Sequence, residues 1–342
     1  MSHRSFENFH DEVIRPGEAE GLPERFFDRF VFNLHPTDVT SPSVLFGLGL
    51  HPVRDTVDGF AIISTATEQR NVRYSTELSA TEPGTCGPFS FEVVEPNRIW
   101  RAALSENPTG MTFDLTWEAR APAWWGDIDV TNDSGETTSF SHLFQSGWAS
   151  GVLSVDGEEQ QVERWYSQRD RSRGVRTMAG GQGLHIWYQA QFEDRSVGFL
   201  LVESRTGERI LLEGAVMHTD GGLDEIVDVR HDLVFDDQLD LRSGRVQVTT
   251  ESGVVYPIDT DATAGGGLMA GGGYGGHHGK ALGRDHVEGE VYPLDGSVTQ
   301  RTLDSSLTDR LCSFDWDGQP GSGIFEFALT RSSSYTYTPT LV

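Results

Sequence analysis

Apolar and polar residues alternate with a period of two in one stretch after another of this chain. The cleanest case is Met111–Ala119, where Met111, Phe113, Leu115 and Trp117 fall on one face and Thr112, Asp114, Thr116 and Glu118 on the other. Successive side chains of a β-strand point to opposite sides, so this pattern predicts a half-buried strand. Apolar runs bounded by Gly, Pro, Asn and Asp recur at 43–50, 59–65, 71–78, 89–94 and 99–104, and again at 184–191, 197–203, 209–218, 226–235 and 245–250. Such a rhythm predicts antiparallel sheets closed into a barrel or sandwich. Asp156-Gly157 has the composition of a hairpin turn, and Arg205-Thr206-Gly207-Glu208 that of another. Residues 122–136 read as an irregular connection whose Trp124 and Trp125 would rim a pocket or lid the core. Residues 287–292 and 310–329 are expected to complete the second sheet. No long amphipathic helix is predicted.

A length of 342 residues exceeds one ordinary domain. The expected division is a polar segment 1–24, a β-domain 25–180 and a second β-domain 181–342. A hydrophobic content of 37% supplies enough apolar side chains for cores in both halves. No apolar run is long enough for a membrane span, and the polar N-terminus lacks a secretory core, so a cytoplasmic location is expected. The net charge of −26 excludes a nucleic-acid partner, which needs a basic face. Lys280 is the only lysine, which leaves Schiff-base chemistry a single candidate. Cys86 and Cys312 have no CxxC partner, so a cysteine-rich zinc site is ruled out. The two thiols read as buried and unpaired.

Against this acidic background, residues 163–178 stand apart. Arg164, Arg169, Arg171, Arg173 and Arg176 crowd around Asp170, and Trp165 and Tyr166 lie near the start of the segment. Guanidinium neighbours would keep Asp170 ionised, whereas burial would push it towards the protonated form. The segment is therefore either an ion-pair knot or an acid/base site. Residues 262–283 form a second outlier, glycine-rich but carrying Met269, Tyr274, His277 and His278. That composition suits a floppy loop or a close-packed pocket lip. Adjacent imidazoles point apart on a strand and no third ligand is evident, so no metal is expected.

The order of several motifs resembles a bacterial family of the lipocalin-like superfamily. They are Asp28-Arg29-Phe30, Gly47-Leu48-Gly49-Leu50-His51-Pro52, Asp58-Gly59-Phe60-Ala61 and the run from Phe113 to Pro122. The run from Arg169 to Arg176 resembles that family's central Arg-Asp-Arg/His-Ser-Trp-Gly-Val-Arg motif, and the run from Gly271 to His278 its late glycine-rich motif. Arg173 departs from the family's usual tryptophan. The superfamily includes hydroxyneurosporene synthase, a carotenoid 1,2-hydratase, and lipocalin-like Diels–Alderases. The resemblance spans most of the chain and implies two lipocalin-like β-domains side by side, with an apolar cavity in or between them.

The resemblance also implies a function. It points to a cofactor-independent enzyme that hydrates, isomerises or cyclises an apolar unsaturated small molecule such as a terpenoid or polyketide. Protonating an alkene needs a placed acid, a shielded pocket and aromatic faces for the cation. Asp170 is the candidate acid, with Arg169, Tyr166 and His277 as catalytic companions. Trp165, Arg171, Arg176, His185, Trp187, His218, Tyr274 and His278 are the candidate substrate-binding residues. Glu213, Asp220 and Asp285 are alternative acids should arginines hold Asp170 ionised. The other reading is a non-catalytic carrier of a hydrophobic ligand. A titratable pair facing the cavity would separate the two, because a carrier needs none. Exposed sheet edges leave room for a homodimer.

Overall fold

The computed structural model describes residues 11–40, 42–131, 135, 137–175, 182–263, 279–299, 307–330 and 335–341. Strands dominate them. The first eleven are β1 (Phe26–His35), β2 (Ser43–His51), β3 (Thr56–Ser64), β4 (Glu68–Glu77), β5 (Thr85–Cys86), β6 (Phe89–Glu95), β7 (Ile99–Leu104), β8 (Met111–Ala119), β9 (Trp124–Thr131), β10 (Thr137–Val155) and β11 (Glu158–Val175). The rest are β12 (Gln182–Gln191), β13 (Arg195–Ser204), β14 (Arg209–His218), β15 (Leu223–Phe235), β16 (Leu241–Thr250), β17 (Val255–Asp261), β18 (His286–Pro293), β19 (Leu307–Trp316) and β20 (Gln319–Leu329). No helix of the described residues is long and apolar enough to cross a membrane.

The strands form two antiparallel units. A twelve-stranded curled sheet runs β18-β4-β3-β2-β1-β11-β10-β8-β7-β6-β5, with β9 paired to β10, and β12-β13-β14-β15-β16-β17-β19-β20 close into an eight-stranded barrel. The all-β expectation holds. The segment 122–136, expected to be irregular, contains strand β9, and Trp124 stacks on Phe144 at 5.7 Å within the core between the units. The expected hairpin at Asp156-Gly157 joins β10 to β11, both residues having positive φ (53° and 85°) as such a turn demands. Residues 287–292 do not complete the barrel. They lie in β18, which pairs with β4 at the edge of the curled sheet.

Each unit is filled by its own apolar face. Inside the curled sheet Phe32 stacks on Phe46 at 5.3 Å, and Phe30, Phe91 and Trp100 pack together. Inside the barrel Tyr188, Phe199, Phe314 and Phe325 meet with ring centroids about 5 Å apart. At about 1.5–3 kcal/mol per fully buried large side chain, these interiors account for closed cores. Cys86 and Cys312 lie one in each core, both free and buried, as expected.

A third apolar layer joins the units. It is made by the outward faces of β1, β2, β3, β9 and β10 against those of β12, β13, β14, β19 and β20, with Val31, Phe144, Trp187, Leu200, Met217 and Ile324 among its members. Strands lying between two layers are buried on both sides, which is why every residue of β2 is buried and the alternation clear in β8 is absent there. Gly47 lets β1 and β2 approach under this load: a Cβ there would lie 2.6 Å from the Phe30 carbonyl oxygen.

Candidate functional site

A cavity of about 270 Å3 interrupts the layer between the units. Its apolar lining comes from Phe27, Val31 and Leu45 on the curled sheet and from Trp187, Leu200 and Leu307 on the barrel. Several of the side chains that reach it arrive in cross-strand rows. On the barrel's outer face, Asp309, Glu326, Trp187, Leu200 and Glu213 are successive partners across β19, β20, β12, β13 and β14. On the facing sheet, Arg29, Ser172 and His142 form one row across β1, β11 and β10, and Val31, Asp170 and Phe144 form the next. Residues of one row point the same way, so the two sheets bring separate segments of sequence to a common wall.

His142 is the bridge between the units. Its Nε2 donates to Asp170 Oδ2 at 2.6 Å on its own sheet, and its Nδ1 bonds Glu213 Oε1 on the barrel. Trp187 Nε1 also donates to Asp170 Oδ2, at 3.0 Å, so both units hold that carboxylate. Burial disfavours an imidazolium here, but the Asp170 and Glu213 carboxylates outweigh it and raise the His142 pKa to about 9. His142 therefore carries both ring protons at neutral pH and donates one N–H hydrogen bond to each carboxylate.

On the barrel wall, Asp309 and Glu326 are directly opposed on β19 and β20 and hydrogen-bonded to each other. Asp309 is 2% exposed, and its Oδ1 has no hydrogen-bond partner among the described residues. Burial first, and then the adjacent Glu326 carboxylate, hold its carboxyl well above the usual range, which favours the protonated form. His185 Nε2 lies 2.9 Å from Glu326 Oε1 and completes this second group. The cavity thus has a neutral carboxylic acid on one wall and an ion-paired carboxylate on the other, the separation of protonation states that acid/base chemistry requires.

Among the residues singled out from sequence, Asp170, His185 and Trp187 line the cavity. Arg169 and Arg171 do not. They flank Asp170 in sequence, but on strand β11 they point to the opposite face, into the curled sheet. There Arg169 pairs with Asp11 and lies over Trp100 and Trp117, while Arg171 holds Asp28 through two bonds of 2.9 and 2.8 Å. The arginine clamp expected around Asp170 is replaced by His142 and Trp187. Trp165 belongs to the interior of the curled sheet, and Tyr166 stacks on Trp148 beneath Arg120. His218 ends β14, half-buried and outside the cavity lining. Arg176, Tyr274, His277 and His278 lie outside the described residues, although Gly279, within the glycine-rich stretch 262–283, does line the cavity. Of the alternative acids, Glu213 contacts His142; Asp220 and Asp285 are absent from the lining. Sequence reasoning passed over His142, Asp309 and Glu326. The signal was present: each alternates with apolar residues on a strand, His142 with Phe140 and Phe144, Asp309 with Leu307 and Leu311, Glu326 with Ile324 and Ala328.

Comparison with solved structures shows the same two-domain lipocalin-like architecture elsewhere. A candidate AttH protein of Nitrosomonas europaea aligns over 93% of this chain and 97% of that one, at 11% identity and a TM-score of 0.62. CghA aligns over 98% of this chain and 97% of that one, at 9% identity and a TM-score of 0.52; a second structure, of CghA with Sch210972, gives 9% identity, 96% of both chains and 0.51. Kievitone hydratase of Nectria haematococca aligns over 94% and 95% of the two chains, at 12% identity and 0.45. A search of curated proteins finds no match. The model of a family described as "Family of unknown function (DUF8625)" matches residues 17–337.

Proposed function

The chain belongs to this family of unknown function, and on that premise we propose that it is an acid/base enzyme acting on an unsaturated small molecule in the cavity between its two units. The observation that carries the reading is the placement of two titratable pairs on facing walls of one cavity: Asp309–Glu326 on the barrel and Asp170–His142 on the curled sheet. A carrier of an apolar ligand has no use for a buried carboxyl oxygen that lacks a partner, as Asp309 Oδ1 does among the described residues.

The step follows from the protonation states. Asp309 gives its proton to one carbon of an electron-rich double bond, leaving a carbocation at the other carbon and Asp309 as a carboxylate, which solvent reprotonates before the next turnover. The Trp187 indole in the wall stabilises that cation through its π face. Asp170, paired with His142, then takes a proton. If the proton comes from a water adding to the cation, a C–O bond forms and the product is an alcohol. If it comes from a neighbouring carbon, the double bond moves. If a second double bond attacks the cation first, a ring closes before the proton leaves. All three outcomes use the same acid and the same base, and no cofactor enters the step. CghA, solved with Sch210972, has the same architecture, in keeping with a small-molecule role.

The test is turnover in D2O with small-molecule extracts of the natural host, followed by mass spectrometry. Wild-type protein should place one deuterium on carbon in the product, and Asp309→Asn should retain the ligand but lose at least about 100-fold in rate, the low end for removing a general acid. A ligand recovered unaltered and undeuterated from wild-type protein would establish a carrier instead.

A further inference from the structure

One barrel carboxylate serves the cavity without lining it. Glu213 ends the cross-strand row that begins at Asp309 and passes through Glu326, Trp187 and Leu200. It is buried, yet no arginine balances it. Among the described residues its bond is to His142 Nδ1 through Oε1, and Oε2 has no hydrogen-bond partner. The backbone is shaped to bring it there. Gly214 follows it at φ 139°, and a Cβ at that position would lie 2.1 Å from the Gly198 carbonyl oxygen. Glycine is what allows β14 to lie so close to β13 beside Glu213.

A histidine ring has two nitrogens, and the bond made by one governs what the other does. Asp170 faces Nε2 and Glu213 faces Nδ1, so a ring with an N–H on both sides satisfies both. A ring facing Asp170 alone needs one N–H, and nothing fixes which nitrogen bears it. Phe144 and Phe140 flank the ring from its own strand, at 4.4 and 5.8 Å. The charged groups that face it are Asp170 from β11 and Glu213 from β14. Ser172 lies opposite it on β11 and Gly126 on β9, and Arg29 stands one strand further along the same row. Held in this way, His142 Nε2 donates to Asp170 Oδ2, as does Trp187 Nε1. Both donors occupy one oxygen, which leaves Oδ1 as the oxygen that takes a proton at the cavity.

We propose that Glu213 is a positioning residue for the base: from the barrel it fixes the His142 ring, and the ring in turn fixes Asp170 on the curled sheet. The inference rests on the proposed function only for the identity of Asp170 as the base. The positioning of His142 by Glu213 stands on the bonds themselves. It makes the working geometry of one unit depend on the docking of the other.

The test is ring-nitrogen NMR of full-length protein labelled with nitrogen-15 histidine and titrated with base, the His142 signals being those lost in His142→Gln. In the wild type both nitrogens should stay protonated until the pH nears about 9. Glu213→Gln removes the charge at constant size and should lower that midpoint by about one to three pH units, the effect of an opposite charge at bonding distance. Glu213→Asp keeps the charge but withdraws it by a methylene. Its midpoint should fall between the two, and it replaces the first variant if that one does not fold. In the D2O assay, the alkaline limb of the rate should move to lower pH by the same amount, which a loss of packing alone does not produce. An unchanged midpoint would overturn the proposal, and so would a moved midpoint with the rate limb left in place. A wild type that incorporates no deuterium sinks Asp170 as the base instead, and the NMR midpoints alone then decide whether Glu213 positions His142.

Discussion

Asp170 shows how far a single residue can be read from its neighbours in sequence. Placed between Arg169 and Arg171, it looked clamped by guanidinium groups. Because β11 is a strand, those arginines face the curled sheet's interior and Asp170 faces the cavity, where His142 and Trp187 hold it. Its position at the cavity was legible from the motif; its partners were not, because they come from β10 and β12. Asp170→Asn should leave the fold intact, since the amide oxygen still accepts from Trp187, yet lower turnover by at least about 100-fold through loss of the base. Urea unfolding alongside the D2O assay checks both halves of that statement; full activity in the variant would remove Asp170 from the mechanism.

At the scale of the element, β11 is built to serve two layers at once. Its inward residues Arg169 and Arg171 are completely buried cations, and its outward residues Asp170 and Ser172 line the cavity. The buried arginines fix the strand's position from beneath. Replacing Arg171 by Met should cost about 3 kcal/mol, because Asp28 would stay fully buried with only the longer Arg173 contact, at 3.9 Å, to balance it. Chemical denaturation measures this; a loss of under about 1 kcal/mol would mean that the pair contributes no more than a surface salt bridge. Elements with one wet face, such as β8, and turns with positive φ, such as Asp156-Gly157, were legible because local chemistry determines them. Strand β9 and the pairing of β18 with β4 were not, because packing against another layer determines both. Asp309 and Glu326 belong to the same class: the register of β19 on β20 makes them a pair, and only the docking of the sheets makes them face a cavity.

At the scale of the whole molecule, His142 ties the units through Asp170 on one side and Glu213 on the other. Phe140 and Phe144 pack against its ring, Ser172 lies opposite it on β11, and the two carboxylates are what raise its pKa. A histidine whose folded pKa of about 9 exceeds its unfolded value of 6.5 contributes stability that is fully present below about pH 6.5 and is lost as pH rises through about 9. Unfolding free energy should therefore decline between pH 7 and pH 9.5 in the wild type, with a shallower decline in His142→Gln. Urea titrations across that range test it, and parallel curves for the two proteins would show that the bridge does not govern the pH response.

The pairing of β18 with β4 also places a constraint in time. The chain is made from its N-terminus, and β4 leaves the ribosome long before the strand that covers its edge. At roughly 5–20 residues per second, the stretch of about 210 residues between Glu77 and His286 takes roughly 10–40 s to synthesise. Throughout that interval the nascent curled sheet presents the unpaired backbone groups of β4 to any other strand in reach, including the same strand on a neighbouring nascent chain.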